Sequence, residues 1–70
     1  MSDMKAAHTF CKELWQFYKH NAEVDPVDFE KVVAEGEQLI KKYPEKLQRE
    51  MIQIVCEMIE AVDLERKESA

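Results

Sequence analysis

One glycine and two prolines in 70 residues leave the chain few places to turn. Its β-branched residues do not alternate with polar ones, so no segment has the period of a strand. Both shortages favour helices. No apolar run approaches the roughly 18 residues that a membrane span needs. Only two cysteines occur, Cys11 and Cys56, and the opening "MSDMKAAHTF" carries charge where a signal peptide would be apolar. They read as reduced thiols of a soluble cytoplasmic protein. P-loop, dinucleotide fingerprint, nucleophile elbow and H-E-x-x-H are all missing. The Glu-x-x-His pair of di-metal bundles is missing too. The expectation is therefore a protein that is not an enzyme and carries no cofactor.

Charge of one sign is also short. Ten basic residues stand against fifteen acidic ones, a formal charge of −5. Such a balance suits a nucleic-acid binder poorly. Residues 1–22 are slightly basic through Lys5, Lys12 and Lys19, and the acids gather after residue 22.

Punctuation divides what remains into an all-α, antiparallel three-helix arrangement, with helices near 3–20, 26–42 and 45–64. Ser2 or Asp3 caps the first. Asp25 caps the second, with Pro26 at its first position and Asp28 in the place of a capping-box acid. Tyr43 precedes Pro44 and is pushed out of helical geometry, so the second helix ends there and Pro44 opens the third. Residues 1–70 form one small domain, and 65–70, "ERKESA", is expected to fray as a polar tail.

Each helix carries an apolar face. The first has Ala7, Phe10, Cys11, Leu14, Phe17 and Tyr18, with Met4 and Trp15 along one edge. The second has Phe29, Val32, Val33, Gly36, Leu39, Ile40 and Tyr43. Gly36 at the centre of that face implies close approach of a neighbouring helix or an aromatic ring. The third has Leu47, Met51, Ile54, Val55, Met58 and Val62, widened on one side by Ile52, Cys56 and Ile59. Two of these faces are wider than a small bundle needs. Either the third helix is central and covered by both others, or a second chain covers its remaining edge. The expectation is a homodimer. Ile52, Cys56 and Ile59 should pack against the partner, with Met51 and Met58 nearby and Trp15 completing the patch. Ile52→Glu and Ile59→Glu should then each give a folded monomer.

Other constellations are weaker. Lys5, Lys12 and Lys19 repeat at seven-residue spacing, as do Glu23, Glu30 and Glu37, so the rows can face each other across a helical hairpin. His8, His20, Cys11 and Cys56 make a nominal zinc set, yet His8 and His20 lie about 18 Å apart along one helix. No metal is expected.

The segments "FCKELWQFYK" and "DPVDFEKVVAEGEQLIKKYP", followed by a third apolar helix, resemble short uncharacterised proteins of phages and mobile elements of gut-type bacteria. The resemblance covers the first two-thirds of the chain. It implies a mobile-element context and no activity. In that context small acidic helical proteins often act by binding another protein.

The function expected is a non-enzymatic protein-interaction module that self-associates through apolar helix faces. The alternative is a small acidic inhibitor that imitates nucleic acid and occupies a basic groove, motivated by Asp25, Asp28, Glu30, Glu35 and Glu37. A helix-turn-helix reader ranks below both, because its third helix would be apolar and acidic.

Overall fold

The computed structural model describes residues 4–69. It contains three helices: α1 (Met4–Ala22), α2 (Phe29–Lys42) and α3 (Lys46–Ser69). Expected caps at Ser2 and Asp3 lie outside the described residues. Lys42 and Glu13 pair at one end of α1–α2 and Asn21 and Glu35 at the other, so these two helices run antiparallel. Arg66 reaches the carbonyls of Ala22 and Val24, which sets α3 parallel to α1. α3 packs on both other helices, more extensively than they pack on each other.

Three boundaries differ from the sequence expectation. α1 continues past His20 to Ala22, because Asn21 is drawn into the core. Its side-chain amide donates to the Phe17 carbonyl at 2.9 Å and to Glu35 at 2.8 Å. α2 begins at Phe29, not Pro26. Its N-cap is Asp28, whose carboxylate accepts the Lys31 N–H at 3.3 Å. The reason is Val27, which is buried and gives its N–H to the Asp63 carboxylate at 3.3 Å. That bond holds the residues before Asp28 out of helical register.

The third difference is the tail. Residues up to Ser69 remain helical, where fraying from Glu65 was expected. Arg66 donates to the carbonyls of Val24, at 3.0 Å, and Ala22. Lys67 pairs with Asp63 at 3.1 Å. Polar composition misled here because Arg66 is joined to the end of α1 and the residues just beyond it, which holds the last turns of α3 in place.

The break between α2 and α3 is as expected. Tyr43 is the C-cap, outside helical geometry, and its N–H still reaches the Leu39 carbonyl at 2.8 Å. The Glu45 carbonyl accepts the first α3 bond, from Arg49, at 2.9 Å.

The core is Phe10, Leu14 and Phe17 of α1, Val27 of the connection, Val32 of α2, and Ile52 and Ile59 of α3. Tyr18, Leu39, Ile40, Tyr43, Val55 and Cys56 pack around it. Phe10 and Tyr43 meet as tilted rings, 4.8 Å between centroids, and close the end of the core nearest the α2–α3 connection. The radius of gyration is 12.9 Å, against about 11 Å for a compact domain of this length. The long α3 stretches the molecule, and stretching leaves more side chains at the surface.

Gly36 faces this core as expected. A Cβ added there would sit 3.6 Å from the Cys56 sulfur and 3.8 Å from Cζ of Phe17, both ordinary contacts. The approach is close, yet a methyl group fits. Gly36→Ala should gain about 1 kcal/mol of helix propensity. Melting followed by circular dichroism should rise by about 4–8 °C. A fall would mean that the α2–α3 contact tolerates no methyl.

Candidate interaction surface

α3 carries two apolar stripes, and the structure assigns them opposite roles to those expected. Ile52 and Ile59 are 0% exposed, and Cys56 is half-buried against Gly36. These three residues belong to the intramolecular core, and as a dimer interface they are withdrawn. α1 and α2 both lean on this side of α3, so no edge of it is left for a partner. The stripe expected to be core faces outward instead. Leu47 is 72% exposed and Ile54 54%, with Met51 and Met58 also exposed. Only Val55 and Val62, on the side turned to α1, are half-buried.

The exposed residues Leu47, Met51, Ile54 and Met58 follow one another at four- and three-residue spacing, which keeps them in one row along the helix. This row borders α1. Trp15, 58% exposed, stands beside it, its ring 5.9 Å from that of Tyr18. Between the two helices lies a shallow groove of about 180 Å³, lined by Cys11, Leu14, Trp15, Tyr18, Val55 and Met58. Its walls are almost wholly apolar. Met4, exposed at the start of α1, continues the same face. Of the six residues singled out from sequence, Trp15, Met51 and Met58 lie on this surface. Leu47 and Ile54 belong to it and were missed. Their exposure carried no signal in the sequence, where a core stripe and a surface stripe have the same period.

Several charged groups are engaged inside the chain. Glu13 pairs with Lys42 at 2.6 Å and accepts the Tyr43 hydroxyl. The bond to Lys42, then that to Tyr43, holds the Glu13 carboxyl below its ordinary value. The Asp63 carboxyl is likewise lowered, first by Lys67 and then by the Val27 N–H, against its burial. Burial pushes the Cys56 thiol up, with Glu60 adding to it. That leaves Cys56 a protonated core residue. Cys11 is exposed and free.

The polar groove between α1 and α2, about 460 Å³, includes Glu13, His20, Glu35 and Lys42. Glu13, Glu35 and Lys42 are each bonded to another side chain of the same chain. Among the described residues no three His, Cys, Asp or Glu side chains cluster as a metal site requires. The acidic set Asp25, Asp28, Glu30, Glu35 and Glu37 is also depleted: Asp28 caps α2 and Glu35 holds Asn21.

Among the described residues no ion pair joins Lys12 to Glu30 or Lys19 to Glu23, as facing rows would require. The ion pair between α1 and α2 joins Glu13 to Lys42. Lys12 and Lys19 stand on the outer side of α1 and make no ion pair among the described residues. No helix of the described residues is long and apolar enough to cross a membrane.

Against this geometry, no known protein family, curated protein or solved structure matches the chain.

Proposed function

We propose that this chain is a non-enzymatic protein-interaction module that self-associates through the α1–α3 face. The observation that carries the proposal is the exposed row Leu47, Met51, Ile54 and Met58 beside Trp15. A soluble chain that folds around Ile52 and Ile59 has no internal use for this second stripe. Together the five side chains leave on the order of 500 Å² in contact with water, at the upper end of what monomers usually expose in one patch. Methionines suit such a surface, since they adapt their shape to a partner. Trp15 supplies a large anchor of the kind that dominates binding energy.

Light scattering and sedimentation across a dilution series test the proposal. The wild-type chain should show a two-chain mass at high concentration and dissociate on dilution. Ile54→Glu should give a helical monomer, because the side chain lies outside the core. Burying an isoleucine contributes about 1.5–3 kcal/mol, and a symmetric pair loses two. The dissociation constant should rise about 100-fold or more. A wild-type chain that stays monomeric at high concentration, or an Ile54→Glu variant that still dimerises, would sink the proposal.

A further inference from the structure

The apolar face has charged borders, and the two borders differ in sign. On α1, Lys12 and Lys19 follow Trp15 around the helix by about 50°, away from the core. On α3, Glu50 and Glu57 stand about 50° beyond Ile54 on the side away from α1, and Glu57 also lines the groove that α3 forms with Phe29 of α2. Glu65 closes the far end of the α3 row. All five are exposed, and none makes an ion pair among the described residues. A strip of apolar side chains thus runs between a basic edge and an acidic edge.

We infer that the occupant of the face is a second copy of this chain, held about a two-fold axis parallel to the helices. The inference rests on the self-association proposed above and adds the identity of the contacts and their direction. A face-to-face pair of identical surfaces has its two-fold axis in the interface. Two orientations keep the helices aligned. With the axis across the helices, each lysine edge meets the lysine edge of the other copy, and glutamates meet glutamates. With the axis along the helices, α1 of one copy lies against α3 of the other, and basic edge meets acidic edge twice. Charge complementarity selects the second.

Axial register agrees with it. Trp15 shares a groove with Met58, and Ala22 is level with Arg66. A two-fold axis along the helices preserves height. Lys12 of one copy therefore lies within about 3 Å in height of Glu57 of the second copy, and Lys19 within about 5 Å of Glu65. Lysine side chains span such offsets. α1 and α3 of the two copies then form a four-helix layer, with each α2 on the outside.

Charge reversal with sedimentation analysis, at low salt and with helicity checked, tests the inference. Lys12→Glu/Lys19→Glu should weaken the dimer about tenfold or more, and so should Glu57→Lys/Glu65→Lys. The four-fold exchange of all these positions should restore association to near the wild-type value. Lys31→Glu/Lys41→Glu changes net charge as much as the first variant, at exposed sites on α2, and should leave the dimer intact. At about 1 M salt the reversals should lose most of their effect. If the lysine reversal leaves association unchanged while Ile54→Glu abolishes it, the two-fold arrangement is wrong and self-association stands. Failure of a folded four-fold variant to recover also overturns the arrangement. A monomeric wild-type chain removes both.

Discussion

Ile59→Glu should leave the chain without its helices. Ile59 is fully buried between α3 and its two neighbours, so a carboxylate there has neither water nor a cation to meet it. Even Ile59→Ala should cost about 2–5 kcal/mol, through lost burial and the cavity left behind. A 70-residue domain has a total stability of about 4–10 kcal/mol. The charged substitution should consume all of it. Far-UV circular dichroism should show a coil spectrum, and Ile52→Glu should behave alike. The contrast with Ile54→Glu is the discriminating part. Ile54 lies two positions from Ile52 and belongs to the outward stripe. A helical Ile59→Glu variant would mean that the stripes have been assigned the wrong way round.

Ending the chain after Leu64 should destabilise it by about 2 kcal/mol or more, lowering the melting temperature by roughly 10 °C or more. The truncation removes Arg66, whose guanidinium joins the carbonyls of Ala22 and Val24. It also removes Lys67, which neutralises the nearly buried Asp63. Asp63 in turn holds the Val27 N–H. Losing these six residues, five of them polar, thus loosens the end of α1, the connection to α2 and the last turns of α3 together. Thermal melts of the truncated and full chains decide the matter. Arg66→Lys should recover only part of the loss attributable to Arg66, since an ammonium cannot present two donors in a fixed fork. An unchanged melt would show the tail to be a bystander.

The candidate surface was half legible. Trp15, Met51 and Met58 were singled out from sequence because large apolar residues at the margin of a wide face invite a partner. Ile52, Cys56 and Ile59 were placed with them and are core. Leu47 and Ile54 were placed in the core and are surface. Periodicity reports that apolar residues share a side of a helix, but it does not report which side has neighbours. Gly36 was the one local sign of which part of α3 would be covered. Its small size admits Cys56, and Cys56 shares its side of the helix with Ile52 and Ile59. Lys12 and Lys19 form no ion pair with the glutamate row among the described residues for a related reason. Seven-residue spacing makes a row, while the rotation of each helix decides where the row points.

The number of helices and the break between α2 and α3 at Tyr43 were determined by the sequence alone. The causes are local: one residue before a proline, scarce glycine, and apolar residues at helical spacing. Each acts within a turn or two of chain, so no distant residue is needed to read it. The tertiary structure alone decided which stripe of α3 faces inward and whether residues 65–69 are helical. Those outcomes depend on contacts between residues far apart in the chain: Val27 with Asp63, Ala22 with Arg66, and Phe17 beside Gly36 and Cys56. Both stripes repeat at helical spacing, so local pattern alone does not separate them. The rotation of α3 against α1 and α2, fixed by contacts across the chain, does.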